Sequence, residues 1–378
     1  MKTPFLLLTE FLLLGCNLYG FNSPGVPIAK PDPVAAGIRN NIPTSSTTKT
    51  PSPKALIATN GSISFIINVH DWVHVQESAD TLIHLIDIFD RYRVKGDFYF
   101  TAPVVENLVQ QRPDVITRLI ESDMTISYHV RPPHPLYNEF DARLQRLNDR
   151  DLFSTLMEYE TYALDMATGE LDKSRAGGYS YVAKIFGAKP VVVGAPNNDP
   201  RIKETAKKVY ASLGAKMVVL YHEEGTKIDR PFEYTNGLLI RPSDFSITRV
   251  NTENGENFWW NMLKSPESVK FDPTKLLQTT LGDWNASRPP FITSLIHENN
   301  FYRSGPEAWT GYYFDYADKN KPLQPPYNLT TSDPSKVRTA VEQQTIWNAY
   351  ERLVAYSVTH LQVVTSEYLV SQAFHSKE

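Results

Sequence analysis

The chain has 378 residues, and 38 Lys and Arg against 42 Asp and Glu give a formal net charge of −4. That length builds one large domain or two ordinary ones, and a near-neutral balance with no long basic run argues against a nucleic-acid binder that works by neutralising phosphates. The single cysteine, Cys16, excludes an intrachain disulfide framework and any cysteine-based zinc site, and no apolar run reaches the roughly 18–20 residues of a membrane span.

Residues 1–16, MKTPFLLLTEFLLLGC, join one Lys to two Leu/Phe blocks and close on Leu13-Leu14-Gly15-Cys16. This is the shape of a secretory leader. Its end also resembles a bacterial lipobox, in which Cys16 would carry the lipid and become the mature N-terminus. The expectation is an exported chain, secreted or held at the cell surface, whose membrane contact is that lipid anchor. Residues 17–57 (SPGVPIAKPDP, then PTSSTTKTPSP) have linker composition and no apolar face to bury. Residues 58–378 show neither an internal repeat nor a second linker, so they are expected to form one catalytic domain.

Within that domain strands and helices alternate. Strands are predicted at Ser62–Val69, Gly96–Thr101, Met124–Tyr128, Pro190–Val193, Lys216–Tyr221, Phe291–Ile296 and Leu361–Val364, all short apolar runs. Helical spacing appears over Ser78–Tyr92, over Pro103–Ser122 with a break near Pro113, and over Asp151–Ala167, Arg201–Leu213 and Pro334–Val358. Apolar strands alternating with helices mean a parallel sheet covered by helices. About seven strands in this length suit an α/β fold of the TIM-like barrel type, whose working residues lie at the carboxyl ends of the strands.

Polar residues gather at those ends. Val69 is followed by His70-Asp71-Trp72, and Tyr128 by His129-Val130-Arg131-Pro132-Pro133-His134. Tyr221 is followed by His222-Glu223-Glu224, and Ile296 by His297-Glu298. Five of the nine histidines (His70, His129, His134, His222 and His297) thus follow predicted strands or lie in their loops. Imidazoles and carboxylates converging on one face suit a divalent metal, Zn2+ by default for nitrogen-rich ligands. A metal with an open position activates water and polarises an ester or amide carbonyl.

The stretch Phe65–Pro135 resembles the start of a polysaccharide deacetylase (NodB-homology) domain. The resemblance is carried by the acidic end of the first strand at Asp71, by Asp97-Phe98-Tyr99-Phe100-Thr101, and by Ser122-Asp123-Met124-Thr125-Ile126-Ser127-Tyr128-His129. It covers about 70 residues well. Leu295-Ile296-His297 and Val363-Val364-Thr365-Ser366-Glu367-Tyr368-Leu369 extend it more loosely toward the C-terminus. The resemblance implies a distorted β/α barrel, a metal held by Asp71, His129 and His134, and His297 as general acid. Three departures mark a divergent member. His70 stands where the family has its acidic base; four residues rather than three separate His129 from His134; and the base-orienting arginine has only Arg241 and Arg131 as candidates.

The leading expectation is therefore an exported, metal-dependent hydrolase that removes acetyl groups from a carbohydrate, with His70 and His297 catalytic. His70 is read as base, extra ligand or site lining. Trp72, Trp259, Trp260 and Trp309, in a chain 12% aromatic, are candidates for stacking on sugar rings. A barrel glycoside hydrolase pairing Asp71 with Glu223 or Glu298 and a non-catalytic glycan-binding surface protein are the competing readings.

Overall fold

The computed structural model describes residues 61–138, 140–194, 196–219, 233–247, 272–315 and 318–375, all within one compact unit, Leu56–Glu378. The leader with Cys16, the 17–57 linker, His222, Glu223, Glu224, Trp259 and Trp260 lie outside the described residues.

In chain order the framework is β1 (Ser62–Val69), α1 (Val75–Tyr92), β2 (Asp97–Phe100), α2 (Ala102–Gln111), α3 (Pro113–Glu121), β3 (Thr125–His129), α4 (Asp149–Tyr159) and the hairpin β4 (Tyr162–Leu164) with β5 (Leu171–Ala176). It continues through α5 (Gly178–Phe186), β6 (Val192–Gly194), α6 (Pro200–Leu213), β7 (Met217–Val218), β8 (Tyr234–Thr235), β9 (Leu238–Ile240) and β10 (Phe245–Ser246). Helix α7 (Pro273–Gly282), β11 (Phe291–His297), α8 (Ala340–His360), β12 (Gln362–Val363) and α9 (Ser366–His375) complete it. The main sheet runs β10-β11-β1-β2-β3-β6-β7-β9-β8. Only β8, in a hairpin with β9, is antiparallel.

Alternation along β1 explains both layers. Ile63, Phe65, Ile67 and Val69 point outward into a large apolar cluster with Ala79, Leu82, Ile86 and Phe89 of α1. That spacing puts one apolar stripe of α1 on the sheet, and Leu82, Ile86 and Phe89 each contribute about 1.5–3 kcal/mol by burial. Ser64, Ile66 and Asn68 point the other way. Ile66 joins Tyr99, Val192, Met217 and Leu239, from β2, β6, β7 and β9, in a second cluster with Leu369 and Ala373 of α9. Strands several places apart share one small interior only if the sheet curls. The curl is completed by the chain itself, because residues 241–244 link β9 to β10, which pairs with β11. Arg241 in that link donates to Ser64 of β1 and, at 3.1 Å, to Thr293 of β11, and lies 3.5 Å from Asp97 of β2. The architecture is an α/β, distorted barrel-like fold whose last gap is crossed by a loop and a buried ion pair.

Two elements depart from the sequence expectation. The helix predicted over Asp151–Ala167 is α4, which ends at Tyr159, and the chain then turns into the β4–β5 hairpin. Asp165 builds that turn, its Oδ1 accepting the N–H groups of Ala167 (2.8 Å) and Thr168 (3.0 Å), with Gly169 at φ +71°. This Asx chemistry outweighs helical periodicity. The long C-terminal helix begins at Ala340 instead of Pro334, because Thr339 and Glu342 form a reciprocal capping box.

Candidate active site

Three parallel strands deliver imidazoles to one end of the sheet. His70 follows β1, His129 ends β3 and His297 ends β11, with His297 in register with Asn68 of β1. All three are buried. The rings of His70 and His297 lie 4.7 Å apart between centroids, and those of His70 and His129 lie 6.1 Å apart.

Arg131, two residues past β3, reaches into this group. Its Nη2 lies 3.4 Å from Nε2 of His70 and 3.4 Å from Nε2 of His297. The guanidinium also donates to the Tyr137 hydroxyl at 3.3 Å and stands 5.9 Å from the ring centroids of both Tyr137 and Trp309. Burial, followed by the Arg131 charge, holds the imidazoles of His70 and His129 well below the usual histidine range, so both are neutral at physiological pH. Of the two arginines the sequence offered, Arg131 is at the histidines. Arg241 is engaged with Asp97 and the serines Ser64 and Ser366 inside the barrel.

Two glutamates complete the environment. Glu307 Oε1 lies 3.5 Å from His70 Nε2, and burial, opposed by Arg131 and reinforced by the Asp71 charge, lifts its carboxyl to about 7. Glu298 is fully buried. Its Oε1 accepts the backbone N–H groups of His70 (3.0 Å) and Asp71 (2.7 Å), tying the end of β1 to the end of β11. Burial and then the negative charge of Asp71 lift the Glu298 carboxyl to about 8. The sequence reading missed Glu307. It lies in an aperiodic loop, and its one signal is that the loop follows the carboxyl end of β11.

The residues expected to hold a metal are not brought to one point. Among the described residues the group with ligand-atom spacing is His70, His297 and Glu307, whose ligating atoms lie within 4.8 Å of one another. Asp71 turns away from them. Its Oδ1 accepts from the backbone N–H groups of Val73 (2.9 Å) and His74 (3.1 Å), and its Oδ2 meets His74 Nδ1 at 2.8 Å and the Tyr302 hydroxyl at 3.0 Å. His74 in turn meets Asp333 at 2.8 Å. Burial pulls its imidazole down, but the hydrogen bond and charge of Asp71 leave its pKa raised.

His134 is likewise committed. Its Nδ1 accepts the Leu136 N–H at 3.2 Å, and its Nε2 faces Glu160 Oε1 at 3.3 Å. Glu160 is held by the Tyr179 N–H (2.9 Å) and the Tyr210 hydroxyl (2.5 Å). Gly178, at φ +53°, makes this approach possible: a Cβ there would lie 2.6 Å from the Tyr159 carbonyl oxygen. His129 Nδ1 contacts the Gly194 carbonyl at 3.1 Å. A cation at His70 and His297 would share their space with the Arg131 guanidinium. With Arg131 in this position, a divalent ion does not fit between His70 and His297.

Beside His129, Arg131 and His134 opens a narrow cleft of about 40 Å³, with Tyr159, Tyr162 and Tyr181 in its walls. Trp309, expected as a sugar platform, is 3% exposed and backs Arg131 and His70 instead.

No protein-family model matches the chain, and no curated protein matches it. Among solved structures, the 4-α-glucanotransferase of Thermococcus litoralis is 12% identical with a TM-score of 0.45, over 83% of this chain and 40% of that one. The peptidoglycan deacetylase PdaC of Bacillus subtilis is 10% identical with a TM-score of 0.37, over 84% and 93%. A CE4 family pseudoenzyme of Bacillus anthracis is 10% identical with a TM-score of 0.38, over 82% and 66%. Likenesses of this strength carry no argument about activity, and this chain spans less than half of the glucanotransferase. Deacetylase structures are nevertheless among the structures this chain is similar to.

Proposed function

We propose that the chain is a divergent member of the polysaccharide deacetylase superfamily, exported through its leader and anchored through Cys16, that hydrolyses an acyl group carried by a carbohydrate. The observation that carries this reading is the group His70, His297, Arg131 and Glu307, gathered at the carboxyl ends of parallel strands beside an aromatic cleft. Neutral His70 takes a proton from water as the water oxygen bonds to the acyl carbon. The carbonyl oxygen becomes negative, and Arg131 is the fixed donor that stabilises it. As the bond to the sugar oxygen or nitrogen breaks, the proton taken up by His70 passes through His297, whose ring lies 4.7 Å away, to the leaving atom, giving a carboxylic acid and a free hydroxyl or amine and restoring both imidazoles. Tyrosines in the cleft suit the faces of a sugar ring.

The spacing of His70, His297 and Glu307 favours a second reading, a Zn2+-dependent version of the same hydrolysis. The Arg131 contacts weigh against it.

The test is acetate release from O- and N-acetylated oligosaccharides by the full chain. His70→Ala and His297→Ala should each lower turnover by about 10²-fold or more. Glycan binding without acetate release from any of these substrates would sink the hydrolase and leave a glycan-binding surface protein.

A further inference from the structure

We propose that the guanidinium of Arg131 is the resident cation of this site. It fills the position that a divalent metal would take between His70, His297 and Glu307, so the wild-type chain holds no metal there and gains a metal site when Arg131 is removed. This stands independently of which acyl group is cleaved.

A metal bound by imidazole sits about 2.0–2.1 Å from each nitrogen, on the lone-pair side. Here Nη2 of Arg131 lies 3.4 Å from Nε2 of both rings, the two nitrogens a shared ion would have to bind. Two histidines and one carboxylate within 4.8 Å of one another form a sound three-ligand set in themselves. What keeps it from serving as one is a fixed positive charge at hydrogen-bond range, where repulsion between cations is strongest. The arginine is also held in place. Tyr137 accepts a hydrogen bond from it, and the faces of Tyr137 and Trp309 flank it.

Asp71 and His134, two of the three alternative ligands, are engaged elsewhere. Both oxygens of Asp71 serve the turn into α1, His74 and Tyr302, and both ring nitrogens of His134 face Leu136 or Glu160. The arginine supplies what a metal would offer a developing oxyanion, a positive charge beside buried imidazoles. It cannot lower the pKa of a bound water as a metal does, so the proton must go to a side chain.

The experiment is metal analysis and Co2+ titration of the full chain, followed by visible absorption. Wild type should carry no more metal than a chelator-treated blank and show no Co2+ bands. Arg131→Ala should go from none to about one Co2+ per chain, with the absorption of nitrogen-ligated Co2+, and Arg131→Ala/His297→Ala should lose it again. Circular dichroism confirms that each variant is folded. One tightly held metal in wild type overturns the proposal, and so does a folded Arg131→Ala that binds none. Because the readout is bound metal, it stays informative even if no acetylated glycan proves to be a substrate.

Discussion

Replacing Glu298 with alanine would strip two buried backbone donors of their acceptor. The N–H groups of His70 and Asp71 point at its Oε1 from 3.0 and 2.7 Å. Each buried donor left unpaired costs about 1–3 kcal/mol, so Glu298→Ala should lose about 2–6 kcal/mol relative to Glu298→Gln, which keeps an amide oxygen in place. The wild-type carboxyl adds a pH dependence that neither variant has. Its pKa rises from 4.5 to about 8 in the folded chain because burial, and then the Asp71 charge, disfavour ionisation. A group whose folded pKa is raised contributes stability that is complete below the unfolded pKa and lost as pH climbs through the folded one. Each pH unit in that window costs about 1.4 kcal/mol, giving a ceiling of ~5 kcal/mol between pH 4.5 and about 8. Urea denaturation of the three proteins at pH 5 and pH 8.5 reads this directly. Wild type should fall toward or below Glu298→Gln at the higher pH, while the gap between the two variants stays constant. Parallel wild-type and Gln curves would mean that the carboxyl is ionised throughout. An alanine variant within 1 kcal/mol of glutamine would mean that the tie between β1 and β11 contributes nothing.

Arg241→Met leaves Asp97 buried with only Ser366 to bond it; unfolding should cost about 3–5 kcal/mol less, with acetate release per folded molecule retained, and loss of turnover in a fully folded variant would contradict the structural role. His134→Ala and Glu160→Gln should be non-additive in a double-mutant cycle, with a coupling of about 1–3 kcal/mol; an additive result would mean that the 3.3 Å contact contributes nothing. NMR titration should find His70 neutral at pH 6.5, held down by burial and by Arg131, and Arg131→Gln should raise its pKa; an unchanged value would remove Arg131 from the site's electrostatics.

The alternation of strands and helices was legible because a curled parallel sheet demands it. Short apolar runs bounded by polar ends cannot sit elsewhere, and β1, β2, β3 and β11 lie within a residue or two of their expected bounds. The convergence of His70, His129 and His297 followed from the same rule, since each closes or follows a strand. What the sequence could not disclose was which of each side chain's partners wins. Asp71 reads as a ligand until its oxygens are counted against Val73, His74 and Tyr302, the last of them 231 residues away. His134 reads as a ligand until Glu160 arrives from the C-terminal end of α4. Arg131 and Glu307 come to His70 from loops with no period to betray them. A motif specifies side-chain types near one another along the chain. Whether they chelate, cap or pair depends on hydrogen-bond donors and charges brought in from elsewhere, and here an arginine two residues past a strand end changes the chemistry available to three histidines.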